Sequence, residues 1–186
     1  TVVVSCGTCY DQLQGYQFDK IFPGCRIIDI HEFLLEKGIT LPNAGGFLFH
    51  DPCHSPMKQQ DPMKTVKALL GDGVIKSERC CGEAGTLAVS RPDISTQIRF
   101  RKEEEIRKGE AALREQGLIG AKDNAKILTS CPACLQGLSR YVDDAQTGLL
   151  EADYVVIEMA KQILGENWMP EYVAKANNGG IERVLV

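Results

Sequence analysis

The chain has 186 residues, a net charge of −4, and charged residues at 25% with both signs interleaved. That length bounds it to one domain, or one and a fraction, and suffices to bury a core without disulfide staples. Mild interleaved acidity, sparse aromatics and the lack of any apolar run near about 18 residues argue against a nucleic-acid surface and against a membrane span.

The sequence opens inside an apolar run, Thr1-Val2-Val3-Val4, and reads as a piece cut from a longer protein. No secretory signal pattern is visible. Val2–Ser5 predicts a strand, and Thr8–Phe22 a helix after the turn Cys6-Gly7-Thr8-Cys9. Arg26–Ile30 predicts a strand and His31–Lys37 a helix closed by Gly38. Phe47–His50 is a strand running into Asp51-Pro52-Cys53-His54. Asp61–Leu70 is a helix with Asp61 as N-cap, Pro62 at its first position and Gly71 at its end. Val74–Lys76 is a short strand before Cys80-Cys81-Gly82.

Pro92 to about Gln116 predicts one long helix ended by Gly117. Glu103 with Arg107 and Glu104 with Lys108 have the spacing of stabilising pairs, and the charged stretch reads as a solvated face. Gly109 weakens its middle. Lys126–Thr129 is a strand into Ser130-Cys131-Pro132-Ala133-Cys134, followed by a helix to Tyr141. Tyr154–Ile157 reads as a strand with a helix to Leu164. Asn177-Asn178-Gly179-Gly180 marks a turn, and Ile181–Val186 a last strand.

An internal repeat is visible. Ser5-Cys6-Gly7-Thr8-Cys9, with its preceding β run, matches Ser130-Cys131-Pro132-Ala133-Cys134 with its own. Each is followed by a helix, then a strand and helix, with Ile27 set against Tyr154. Residues 1–44 therefore read as the tail of a first copy and residues 45–186 as a complete second copy. Alternating strands and helices predict an α/β fold with a mainly parallel sheet and flanking helices.

Cys53, Cys80, Cys81, Cys131 and Cys134 all lie at or just beyond strand ends. In an open parallel sheet such ends share one crevice, so sulfurs remote in sequence can meet there. Two C-x-x-C pairs without a secretory pattern point to a reducing compartment and to metal or redox chemistry; the expected location is cytoplasmic, with a position peripheral to the inner face of the membrane as the variant. A C-x-x-C at a helix N-terminus favours thiolate. Gly82 and Gly85 allow a sharp turn and close N–H···S contacts.

An iron–sulfur cluster accounts for five thiols at three strand ends. Zinc takes four ligands and leaves one spare. A dithiol redox centre needs one C-x-x-C and leaves the adjacent pair unexplained. Cys25 has no partner spacing and reads as a buried free thiol. Cys6 and Cys9 belong to an incomplete second site, with a site shared with Cys131 and Cys134 as the alternative. His50 and His54 flank Cys53 as hydrogen-bonding neighbours, with ligation the alternative; His31 reads as structural.

Cys53, then Cys80-Cys81-Gly82, then Cys131-Pro132-Ala133-Cys134 resembles the cysteine-rich CCG domain. That domain occurs in heterodisulfide reductases, the glycolate oxidase iron–sulfur subunit, anaerobic glycerol-3-phosphate dehydrogenase and a lactate utilisation protein, usually as two tandem copies. The chain also resembles the C-terminal part of large bacterial FAD-linked oxidases. The resemblance implies that the five cysteines bind a four-iron cluster, of an unusual non-cubane type in the best-understood members, with zinc in some copies. It implies electron relay from flavin toward a quinone or another acceptor in a lactate- or glycolate-type dehydrogenase. FAD and a ferredoxin-like segment would lie upstream on the same polypeptide, and this piece alone would not turn over. A zinc-stabilised docking module and a cluster-based thiol/disulfide reductase centre are the alternatives. The chain departs from the usual pattern in a shorter stretch from Cys53 to Cys80 and a longer one from Cys81 to Cys131.

Overall fold

Apolar and β-branched runs form short strands that, among the described residues, pair in parallel. The computed structural model describes residues 1–83, 86–143 and 150–179. In chain order the elements are β1 (Val2–Val4), α1 (Gly7–Gly15), α2 (Phe18–Ile21), β2 (Ile27–Asp29), α3 (Ile30–Glu36), β3 (Phe47–His50), α4 (Pro62–Leu70) and β4 (Val74–Lys76). They continue as α5 (Leu87–Ser90), α6 (Pro92–Glu115), β5 (Ala125–Thr129), α7 (Pro132–Asp143), β6 (Leu150–Tyr154), α8 (Val155–Leu164) and α9 (Trp168–Asn177). The main sheet runs β4-β3-β5-β6, and β1-β2 form a separate pair. This is the α/β architecture with a parallel sheet that the alternation predicts.

Strand alternation sends side chains to two cores. Phe47 and Phe49 of β3 and Leu128 of β5 pack with Val66, Leu69 and Leu70 of α4 and with Val155 and Met159 of α8. Leu48 of β3 and Ala125 and Ile127 of β5 face the other way, onto Ile106 and Leu113 of α6 and Leu138 and Tyr141 of α7. Cys81 and Cys134 belong to this second core. β3 has β4 on one side and β5 on the other, so the chain reverses direction across the sheet there. In parallel sheets the crevice beyond the strand ends at such a point is where ligands bind.

The two halves share a register. Val2 pairs with Ile27 and Val4 with Asp29, while Ile127 pairs with Ala152 and Thr129 with Tyr154, an offset of 125 throughout. α1 and α7, and likewise α3 and α8, begin at the same offset. Asp29, not Ile27, is thus the counterpart of Tyr154, and each stands at the N-cap of the following helix.

Several sequence expectations change. Thr8–Phe22 is two helices, because the chain turns at Gln17 with a left-handed φ of 52°. Val155-Val156-Ile157 is helix and the strand ends at Tyr154. Burial of Val155, Glu158 and Met159 at helical spacing overrides the strand preference of the β-branched run. Lys108 pairs with Glu105 at 3.8 Å rather than with Glu104, whereas Arg107 meets Glu103 at 2.9 Å as expected. The charged helix α6 is not simply solvated, since it buries Lys102 and Glu110 with Ile106 and Leu113. Gly109 is in its middle for a packing reason: a Cβ there would stand 2.6 Å from Leu48 Cδ2. Helices α5 and α9 are additions, and the expected strand at Ile181–Val186 lies outside the described residues.

Candidate metal centre

Three neighbouring strands deliver the cysteines to one edge. β3 ends at His50 and leads to Cys53, β4 leads to Cys80 and Cys81, and β5 leads to Cys131 and, one turn into α7, Cys134. All five line a single cavity of about 300 Å³, together with Thr8, Pro52, His54 and Ala133. Cys81 and Cys134 are buried, Cys80 and Cys131 half-buried, and Cys53 exposed. The Sγ atoms of Cys81 and Cys134 stand 3.4 Å apart.

Adjacent cysteines serve one cavity because the backbone turns on both sides of them. Arg79 has a φ of 72° and Gly82 one of 78°. At Gly82 this left-handed conformation is free of steric cost, and its N–H points 3.3 Å from Cys80 Sγ. Glu83 is anchored by Arg140 of α7 through two contacts of 2.8 and 2.7 Å. Gly137 permits that approach, since a Cβ on it would lie 2.8 Å from Glu83 Cβ.

The thiols share protons. Cys81 and Cys134 share one proton across 3.4 Å, and the Cys134 thiol also acts on Cys131. The Cys81–Cys134 hydrogen bond, against the opposing effect of burial, brings Cys81 down to about 4, with help from His50 and the Glu83 N–H. The neighbouring Cys134 thiol likewise brings Cys131 down to about 6, against the opposing effect of burial and aided by the N–H groups of Cys134 and Ala133 at the start of α7. Cys134 is correspondingly pushed up, first by Cys131 and then by Cys81. Burial raises Cys80, opposed by the Gly82 N–H.

His50 is buried at the end of β3, and one of its ring nitrogens lies within 4.8 Å of both Cys81 and Cys134 Sγ. Its Nε2 is a buried atom without another partner, as expected where a site is built to hold something. Sulfur donors, a buried orphan imidazole nitrogen and a cavity beside them fit a thiolate-bound metal group. His54 borders the cavity while its Nδ1 lies 3.4 Å from the Asp11 carboxylate of α1. Gly85 lies outside the described residues.

Cys6 and Cys9 contact one another at the start of α1, yet Thr8 rather than either of them lines the cavity. α1 packs directly on the Cys53 loop: a Cβ on Gly7 would fall 1.9 Å from the His54 carbonyl oxygen. Cys25 lies apart, against a cavity lined by Gln14, Phe18 and Arg26. His31 caps nothing metallic; its Nδ1 is 2.8 Å from the N-cap carboxylate of Asp29. Sequence reasoning missed Lys102, whose Nζ lies 3.2 Å from His50 Nδ1, and the Glu83–Arg140 anchor.

The profile of the cysteine-rich CCG domain matches residues 47–139, half of the chain. The chain belongs to the CCG cysteine-rich domain family. A domain of unknown function, DUF3400, matches residues 139–186. An uncharacterised iron–sulfur protein of Methanococcus maripaludis is 27% identical over 142 residues, 72% of this chain and 26% of that protein. One component of the dihydromethanophenazine:CoB–CoM heterodisulfide reductase of Methanosarcina barkeri is 27% identical over 127 residues, 63% of this chain and 27% of that component. The glycolate oxidase iron–sulfur subunit of Escherichia coli is 30% identical over 103 residues, 51% of this chain and 25% of its own length. The CCG chain thus spans about a quarter of the length of these relatives. No solved structure matches it significantly. No helix among the described residues is long and apolar enough to cross a membrane.

Proposed function

We propose that this CCG domain is an iron–sulfur electron-transfer unit of a multi-component oxidoreductase, with Cys53, Cys80, Cys81, Cys131 and Cys134 holding a four-iron cluster. The carrying observation is that all five cysteines line one cavity of about 300 Å³. A single zinc draws four ligands into a closed tetrahedron, whereas this volume and a fifth thiol suit a group of several atoms. Relatives named as iron–sulfur proteins support the same reading. A cluster held there supplies one-electron uptake and release. The chain's own contribution is to bury the sulfurs of Cys81 and Cys134 and to aim backbone N–H groups at Cys80, Cys81 and Cys131. Such N–H···S bonds set a cluster's potential.

The wider assignment is a flavin-dependent 2-hydroxy-acid dehydrogenase of lactate or glycolate type. The flavin would lie on a preceding domain, and a quinone or another acceptor would take the electrons. Residues 1–44 would be the tail of a first CCG copy holding Cys6 and Cys9, and residues 45–186 the complete second copy. The shared offset of 125 between the β1–β2 and β5–β6 registers supports that division.

Iron and acid-labile sulfide analysis of the anaerobically reconstituted chain tests the cluster. About four irons with matching sulfide are expected, as a four-iron cluster requires. Cys81→Ser should lose most of the iron and Cys25→Ser none; equal losses would sink the assignment. A second reading is zinc, favoured by the tight buried trio His50, Cys81 and Cys134. Stoichiometric zinc without sulfide would establish it.

A further inference from the structure

Lys102 stands in the charged stretch of α6, yet it is 0% exposed. Its Nζ lies 2.7 Å from the Glu78 carbonyl, 3.0 Å from the Ser77 carbonyl, 2.9 Å from Ser77 Oγ and 3.2 Å from His50 Nδ1. Carbonyl oxygens only accept, so two N–H groups of Lys102 go to the Ser77 and Glu78 carbonyls, and Ser77 Oγ and His50 Nδ1 share the third. An ammonium has three N–H groups and no lone pair. It therefore cannot accept a proton from His50, and an Nδ1 facing it must present its own lone pair. Four acceptors gathered on one buried Nζ, two of them carbonyls that can only accept, fit the ammonium form.

His50 completes the connection. With Nδ1 turned to Lys102, the nitrogen left for the sulfurs is Nε2, which has no other partner. A neutral imidazole that accepts at Nδ1 carries its proton on Nε2. A metal-ligating histidine has the opposite arrangement, donating its second N–H to an acceptor. Here that second position faces a cationic donor.

We propose that Lys102 is a positioning residue that fixes His50 as the Nε2–H tautomer, making it an N–H donor to the Cys81 and Cys134 sulfurs rather than a metal ligand. Its buried positive charge, behind that imidazole, raises the reduction potential of the group the sulfurs hold. Reduction adds negative charge, and both a nearby cation and an N–H···S bond stabilise the reduced state. The potential rests on the iron–sulfur reading above; the tautomer does not.

Nitrogen-15 histidine NMR of the reduced, metal-free chain reads the tautomer directly. His50 is expected with Nε2 protonated and Nδ1 bare, moving toward Nδ1–H in Lys102→Met. Nδ1 protonated in the parent chain overturns the proposal without any variant. A parent tautomer that persists in a folded Lys102→Met does so too, because the lysine is then not what fixes it. If circular dichroism shows Lys102→Met unfolded, Lys102→Gln replaces it, since its amide still offers N–H to the carbonyls. In the iron-loaded chain the variant should keep its iron. Its reduced-to-oxidised ratio at a fixed potential should fall about tenfold, a shift of about 59 mV for one electron. An unchanged potential with iron retained refutes the charge effect. A parent chain that takes up no iron refutes the cluster reading instead, and the tautomer measurement still decides the role of Lys102.

Discussion

Replacing Gly137 with alanine tests what brings the buried sulfurs together. Gly137 lies three residues beyond Cys134 on α7, where an added Cβ would stand 2.8 Å from Glu83 Cβ and 3.3 Å from the Cys81 carbonyl oxygen. Carbon atoms prefer about 3.5–4.0 Å, so α7 and the CCG loop must part by about 1 Å. Glu83 cannot swing aside cheaply, because it is buried and held by Arg140 at both oxygens. Overpacking of this kind costs about 1–3 kcal/mol, while alanine in a helix interior gains about 1 kcal/mol over glycine. The net is a destabilisation of about 0–2 kcal/mol, or about 0–8 °C in Tm at roughly 2–4 °C per kcal/mol. The effect on the site should exceed the effect on the fold. The 3.4 Å separation of Cys81 and Cys134 Sγ would widen and loosen the proton shared between them. Thermal unfolding of the reduced chain, with iron and sulfide counts after reconstitution, measures both. Gly15→Ala is the control, since Gly15 has open space around it. A Gly137→Ala variant that is more stable and binds iron like its parent would show that the α7 contact does not set the sulfur geometry.

In the reduced, metal-free chain Cys131 ionises at about 6 instead of the ordinary 9, so iodoacetamide should alkylate it at a rate that stays level down to about pH 6. A rate falling away from pH 9 would contradict the shared-proton arrangement. The sign follows from the depressed value: its stabilising contribution is complete above pH 9 and fades as the pH falls through 6. Gly7→Ala puts a Cβ within 1.9 Å of the His54 carbonyl, so it should pry α1 from the Cys53 loop and speed proteolysis before Gly15; unchanged cleavage would exclude that packing. Arg140→Ala strips the buried Glu83 carboxylate of its partner and should cost about 1–3 kcal/mol by denaturant titration. That is below the cost of a fully buried pair, because the Arg140 side chain is 37% exposed. No change in midpoint would mean that Glu83 has another anchor.

The strands β3, β4 and β5 and the caps at Asp61 and Gly71 were legible because each signal is local: a short apolar run, or a capping residue at a fixed offset. The cysteine positions were legible for the same reason, since strand ends in a parallel sheet have one place to go. The Val155-Val156-Ile157 run misled because β preference is local, while the helix there is fixed by what Val155 and Met159 meet in the core. The break at Gln17 left no trace, as glutamine is not a residue that announces a left-handed turn.

Lys102 shows where composition and periodicity part company. A run rich in Glu, Arg and Lys reads as solvated when residue types are counted. Counted by spacing, Ser95, Lys102, Ile106, Gly109 and Leu113 fall on one stripe of α6, and that stripe is buried. The lysine on it therefore had to be inside, and a buried ammonium requires acceptors around it. What the spacing could not supply is which acceptors. Ser77 and Glu78 follow β4 and His50 ends β3, 24 to 52 residues away. Only the pairing of β3 with β4 sets them side by side beneath α6. The sulfurs announce themselves by spacing; the charge that would tune them depends on strand order, which no local pattern carries.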